Sequence, residues 1–371
     1  FVQVTFSLGM LVLLPALIFI YRDSPTARNI AHLRPANLLE AGIFFYFAVV
    51  ALLVVHYLFK SAVNLLRPSH VPAEIHSQRS RADLLNPRWR RRPIDDERGL
   101  HRWLRFMDDT YRLEIVRIHL LFASLPPAFN GLRIVQLSDL HYSARSKPEY
   151  FEACVDTANG LGGDLIVFTG DLITRRKHIP AAARLLSRLQ APLGVYAVRG
   201  NHEFWTSPHH CKEVIERIGM ILLDNHAHPL ERDGRRLWLV GTEHPWKPVA
   251  DWDQLLERPD GEFQILLSHT PDNVYQAARR RVPLVLSGHT HGGQIRLPGI
   301  GSVLVPSHYS RRFDAGLFDC RGTVLYVNRG LGTLPPPIRI HCQPEITEFI
   351  LVRRPEYEVH SPHAKAQSRE G

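Results

Sequence analysis

Five short apolar runs, each stopping at an aspartate, an asparagine or a histidine, constrain this chain more than any other feature. GLRIVQLS runs into Asp139 and His141, LIVFTG into Asp171, and VYAVRG into Asn201, His202 and Glu203. QILLS reaches His269, and LVLSG reaches His289 and His291, followed by Gly292 and Gly293. Runs of this length read as buried strands, and each delivers a hard oxygen or an imidazole nitrogen at its end. In open α/β sheets, ligands collect beyond the carboxyl ends of the strands. Residues at i and i+2 in an extended or tightly turned segment project to one side, so His289 and His291 can face one pocket. A chain with 21 histidines has many that simply line loops. A pair of solvated loop histidines is therefore the alternative for any single motif, and five endings of the same character argue against it.

The stretches between these runs have helical character. Helices are predicted at Pro148–Leu161, Ile179–Leu189, Pro208–Ile218 and Asp272–Arg280, and further strands at Tyr111–Leu121, Leu237–Gly241, Thr323–Asn328 and Ile346–Val352. Such alternation predicts α/β layers with helices outside. With 371 residues the chain can hold one large domain with a substantial core, plus appendages.

The appendages are read from hydropathy and charge. Residues 1–21 and 41–59 contain no charged side chain, and each is long enough to cross ~30 Å of hydrocarbon as a helix. A hairpin of two membrane helices over residues 1–60 is the expectation. From Lys60 to Met107 there are 11 Lys or Arg against 5 Asp or Glu, a surplus of 6 within a net charge of +9. Basic residues after the second span predict an inner-membrane protein whose large domain faces the cytoplasm. Residues 61–110 read as a basic linker with an interfacial helix near Leu100–Phe106, residues 111–353 as the main domain, and 354–371 as a disordered tail. Cys154, Cys211, Cys320 and Cys342 are widely spaced, which predicts free thiols in a reducing compartment.

In order, DLH (Asp139–His141), GD (Gly170–Asp171), GNHE (Gly200–Glu203), His269 and GHTH (Gly288–His291) resemble the signature of calcineurin-like metallophosphoesterases, over about Gly131–Leu351. SGHTHGGQIRLP and YVNRGLG resemble the bacterial membrane-associated branch. That branch includes YkuE-like and YaeI-like phosphodiesterases and a UDP-2,3-diacylglucosamine pyrophosphatase of lipid A synthesis. The resemblance implies a four-layer α/β/β/α sandwich of two mixed sheets and a pair of divalent metals, Mn first, with Fe or Zn as alternatives. It implies that Asp171 bridges, that Asp139, His141 and His291 complete one metal's ligands, and that Asn201, His269 and His289 complete the other's. A hydroxide between such metals would attack phosphorus in line. His202 would contact the phosphate or assist the leaving group, with Glu203 orienting its imidazole; a supporting hydrogen bonder is the alternative. Arg199 and Arg296 flank these motifs and are candidates for phosphate oxygens, against structural roles.

The leading functional expectation is a membrane-anchored metallophosphoesterase cleaving a phosphodiester or pyrophosphate in a lipid-linked substrate. Its most specific form is conversion of UDP-2,3-diacylglucosamine to lipid X and UMP. No nucleic acid and no obligate protein partner are expected. The alternatives are a general phosphodiesterase, a nuclease recruited by the basic linker, and a non-catalytic scaffold of the same fold.

Overall fold

Along β3 (Leu132–Leu137), Leu132 and Ile134 enter one hydrophobic core while Val135 and Leu137 enter another. A strand apolar on both faces needs cover on both, and this property organises the molecule. The computed structural model describes residues 46–52, 55, 59, 76–81, 107–143, 147–258 and 261–354.

The first sheet has seven strands in the order β1 (His76–Arg81), β2 (Glu114–Phe122), β15 (Glu345–Arg353), β3, β4 (Leu165–Phe168), β5 (Val195–Ala197) and β6 (Ile221–Leu222). The second has six, in the order β13 (Gly316–Cys320), β14 (Thr323–Val327), β10 (Leu284–Ser287), β9 (Gln264–Ser268), β8 (Arg235–Thr242) and β7 (Ala227–Arg232). Both sheets are mixed. β3 to β6 run parallel, as do β8, β9, β10 and β14, with antiparallel partners beside them.

Three cores separate four layers. Val116, Ile134 and Val167 of the first sheet meet Leu239, Ile265 and Leu286 of the second. On the first sheet's other face lie α1 (Pro148–Gly160), α2 (Ile179–Leu186) and α4 (Pro208–Arg217), through residues such as Phe151, Leu185 and Ile215. On the second sheet's other face lie α5 (Trp252–Leu256) and α6 (Val274–Arg279), through Leu256, Val274 and Ala277. The α/β class with two mixed sheets is therefore as expected, and four of the predicted helices appear with ends within a few residues.

Three differences have local causes. β2 begins at Glu114 rather than Tyr111, because the backbone before it is engaged elsewhere: Asp109 N donates to Arg339 O at 2.7 Å and Asp108 bridges to Ile340. The span read as linker contains β1, which pairs antiparallel with β2 from His76↔His119 to Arg81↔Glu114. Its sequence, HSQRSR, has no apolar alternation to announce a strand. Between the motifs, α3 (Asn201–Thr206) was not predicted, being too short for a periodicity to register.

The first predicted membrane span, residues 1–21, lies outside the described residues, as do Leu100–Phe106 and residues 355–371. Of residues 41–59, 46–52, 55 and 59 are described, and they are helical. Among the described residues no helix is long and apolar enough to cross a membrane. All four cysteines are free and buried, as their spacing suggested.

Candidate metal centre

The five strand ends meet. Beyond β3, β4, β9 and β10, and at the start of α3, the chain turns sharply. Five site residues take positive φ to do so: Asp139 at 50°, His141 at 45°, Asp171 at 59°, His289 at 70° and His291 at 53°. Left-handed backbone is unfavourable for side-chain-bearing residues and concentrates where function requires it. Neighbouring glycines make the approach possible. A Cβ on Gly200 would stand 2.2 Å from Asp171 Oδ1, and one on Gly288 would stand 2.3 Å from Asp139 Oδ2. The glycines of GNHE and GHTH are thus steric requirements of the cluster.

Two groups of ligand atoms result. In the first, His141 Nε2 lies 2.9 Å from His291 Nε2, and His291 Nε2 lies 3.4 Å from Asp139 Oδ1. In the second, His269 Nε2 lies 3.1 Å from both His289 Nδ1 and Asn201 Oδ1. Asp171 stands between them, its Oδ2 at 3.4 Å from His141 Nε2 and 3.2 Å from His269 Nε2. Six of the seven side chains are buried, and His289 is partly exposed.

This donor set fits cations. His269 Nδ1 bonds to the Thr169 carbonyl at 2.6 Å, which puts its proton there and aims the Nε2 lone pair at Asp171, Asn201 and His289. Lone pairs then face lone pairs at distances expected for neighbours on one ion, since metal bonds of ~2.0–2.2 Å separate adjacent ligands by roughly 3.0–3.5 Å. Without a cation, a proton must take that place. Burial opposes charging His269, yet Asp171 outweighs it and, with Asp139 and the Thr169 carbonyl, raises the imidazole to about 9. His141 and His291, by contrast, are held well below their ordinary value by burial and by neighbouring imidazoles, and burial pushes His289 down to about 3.

A pH dependence follows. A histidine raised on folding stabilises the metal-free protein fully below about 6.5, and that stability is lost as pH rises through about 9. A cation competes with the same proton, so apparent affinity for Mn should climb with pH toward that value. Calorimetry at pH 7.5 in buffers of different ionisation enthalpy should detect close to one proton released per chain; no release would contradict this account of His269.

Other predicted residues fall into place differently. His202 N donates to Asp171 Oδ1 at 2.9 Å, and its ring lies between His141 (4.5 Å) and Trp205 (5.2 Å). Glu203 does not orient the His202 imidazole. Its carboxylate accepts from the backbone N–H groups of Gly200 (2.8 Å), Asp171 (2.9 Å) and Leu172 (2.8 Å), tying the start of α3 to the Asp171 turn. Arg199 is buried and forked onto Glu243 at 2.7 and 2.6 Å, with Asp224 and the Pro208 carbonyl taking the remainder, so it braces the fold rather than facing phosphate. Arg296 binds Asp314 Oδ2 and the Gly292 carbonyl, both at 2.9 Å, and likewise braces. Sequence reasoning missed two tryptophans at the cluster. Trp205 lies three residues from His202 on α3, a spacing that a predicted helix would have exposed. Trp246, 5.4 Å from His269 and 5.3 Å from His289, follows no motif.

Comparison with known proteins agrees with this geometry. The profile described as calcineurin-like phosphoesterase matches residues 132–293, the span that carries every one of these ligand atoms. An uncharacterized metallophosphoesterase, YkuE of Bacillus subtilis, is 36% identical over 242 residues, 63% of this chain and 84% of that protein. The chain belongs to the calcineurin-like phosphoesterases. Members of this family are dinuclear metal-dependent enzymes, and this calcineurin-like phosphoesterase is a phosphoester hydrolase. A Bos taurus transmembrane protein with metallophosphoesterase domain is 32% identical over 260 residues, 62% of this chain; the chain spans only 55% of its length. The UDP-2,3-diacylglucosamine pyrophosphatase LpxG of Chlamydia trachomatis is 28% identical over 294 residues, 62% of this chain and 88% of that protein.

Proposed function

We propose that this calcineurin-like phosphoesterase is a dinuclear, membrane-held phosphohydrolase that cleaves a phosphodiester or pyrophosphate bond in a lipid-linked substrate. One observation carries the dinuclear reading: a single oxygen of Asp171 lies between two nitrogen groups, 3.4 Å from one and 3.2 Å from the other. In this reading Asp139, His141 and His291 hold one cation and Asn201, His269 and His289 the other, with Asp171 common to both. Two divalent ions, Mn ahead of Fe or Zn in so imidazole-rich a site, would supply Lewis acidity and lower the pKa of a water. Two carboxylates against two dications leave the centre at a charge of about +2, which suits an anionic ester.

The protein's own contribution is positioning. Ser138 Oγ and His289 N hold Asp139 at 2.5 and 3.0 Å, and the His202 and Glu203 contacts fix Asp171 from two sides. Burial lowers the His202 pKa, so a neutral imidazole can hydrogen-bond a phosphate oxygen or pass a proton to the leaving group. His202→Ala should retain its metals and lose roughly 10²–10⁴ in kcat. Metal content and turnover measured on the same preparation test this, and an unchanged rate would reduce His202 to a packing partner of His141.

Membrane placement rests on the uncharged runs at 1–21 and 41–59 and on the basic residues from Lys60 onward, which favour the inner membrane with residues 111–353 on its cytoplasmic face. The pyrophosphatase relative suggests UDP-2,3-diacylglucosamine, giving lipid X and UMP, a step of lipid A synthesis. Incubation of the full chain and Mn with that lipid should release UMP. Hydrolysis of bis-p-nitrophenyl phosphate without UMP release would discard this substrate and leave a general phosphodiesterase.

A further inference from the structure

Directly after the His289–Gly293 turn, the chain makes a small hairpin, β11 (Arg296–Leu297) and β12 (Gly301–Ser302), that belongs to neither large sheet. Pro298 and Gly299 form its tip, with Gly299 at φ +74° and Ile300 N bonded back to Leu297 O at 3.1 Å, as Pro-Gly turns of this kind require. Leu297 is 44% exposed and Ile300 57%, with Val303 also exposed beside them. Elsewhere in the described domain, large apolar side chains are mostly buried, so an apolar tip held out to solvent needs a reason.

The hairpin is braced. Arg296 and Ser302 both bond to Asp314 Oδ2, at 2.9 and 2.8 Å, and the Asp314 carbonyl accepts from Thr290 Oγ1, between His289 and His291, at 2.7 Å. Two guanidinium groups lie against the hairpin backbone, that of Arg296 paired with Asp314. The Arg311 guanidinium donates to the Ile300 carbonyl, and a Cβ on Gly301 would lie 3.5 Å from Arg311 Nη2 and 3.7 Å from Arg296 Nη2. Among the described residues neither Arg311 nor Arg312 forms an ion pair; Arg312 lies over the Tyr275 and Phe313 rings. Exposed apolar side chains beside Arg311, whose charge no carboxylate neutralises among the described residues, match the layers met on entering an anionic bilayer: headgroup phosphates level with the cation, acyl chains beyond.

We propose that the Leu297–Ile300 tip is a lipid-docking element that seats the metal centre against the membrane surface. The occupant is a bilayer with anionic headgroups, to which the uncharged runs at 1–21 and 41–59 already bring the chain. The inference rests on the membrane placement proposed above and does not depend on which ester is cleaved. It adds a second contact, rigidly joined to the histidine turn, that would fix the distance between the cluster and the lipid.

The test uses the full chain in phosphatidylglycerol–phosphatidylcholine vesicles. The four native cysteines are buried, so Ile300→Cys can be labelled selectively with an environment-sensitive fluorophore, and Arg235→Cys, at the exposed β7–β8 turn, provides the control. Doxyl-labelled lipid should quench the label at position 300 at least threefold more strongly than at 235. Equal quenching in protein that floats with the vesicles would overturn the hairpin inference and leave the membrane placement intact. Protein that does not float would overturn both. A signal at 300 that follows protein concentration without lipid quenching would assign the tip to a second copy of the chain, again overturning the proposal. Leu297→Ser/Ile300→Ser, which leaves the cluster untouched, should keep hydrolysis of a water-soluble ester within about twofold; a larger loss would mean the tip supports the fold rather than lipid.

Discussion

Asp171→Ala is expected to leave the protein with at most one bound metal and to lower turnover by roughly four orders of magnitude or more, the scale seen when a group acting in the reaction itself is removed. Among the described residues no other side chain reaches both nitrogen groups through one oxygen. Its loss also frees the His202 N–H from its acceptor at 2.9 Å, so two contacts fail together. Asp171→Asn is the sharper variant, because it keeps the shape and one carbonyl oxygen while removing the charge. It should recover the His202 contact without recovering full occupancy. Metal content by mass spectrometry, beside turnover of a soluble diester, checks both variants; wild-type occupancy in Asp171→Ala would mean the aspartate is not shared.

The second large effect concerns stability. Arg339 is fully buried and has no carboxylate partner among the described residues. Its guanidinium is instead wrapped by carbonyls: Gly332 O at 3.0 and 2.7 Å, Arg329 O at 2.7 Å and Gly330 O at 3.2 Å, with the His291 and Cys342 carbonyls slightly farther. That loop in turn grips the first motif, since Leu331 N donates to Ser138 O at 3.0 Å and Gly332 N to Asp139 O at 2.8 Å. Arg339→Met would leave several buried carbonyls without donors and should cost roughly 3–5 kcal/mol of unfolding free energy. Arg339→Lys should recover less than half, because an ammonium cannot reproduce the planar fork that serves carbonyls on different sides. Urea denaturation of the metal-free proteins measures both. A Met variant within about 1 kcal/mol of wild type would refute the bracing role.

The fold and the meeting of the strand-end side chains were legible in the sequence for one physical reason. Central parallel strands are buried on both faces, so they read as unbroken apolar runs, and their carboxyl ends are where polar groups converge. LIVF and QILL announced themselves this way, and Asp171 and His269 followed. What stayed hidden depends on contacts far apart in sequence. Nothing in RIHC marks Arg339 as the hub of a loop near the site, and nothing near Arg199 announces Glu243, 44 residues on. Adjacency to His202 suggests a side-chain contact for Glu203, where the fold instead supplies three backbone donors. β1 escaped because HSQRSR carries no period-two apolar signature. The Leu297–Ile300 tip reads in sequence as an ordinary Pro-Gly turn; exposure and the Arg311 guanidinium on its backbone distinguish it.

We propose that seven side chains from five strand ends hold a pair of cations. This is tested most directly by stripping the full chain with chelator, reloading it with Mn, and measuring bound metal by mass spectrometry. Two ions per wild-type chain and at most one in Asp171→Ala are expected. A wild-type chain that retains one ion or none would contradict the proposal.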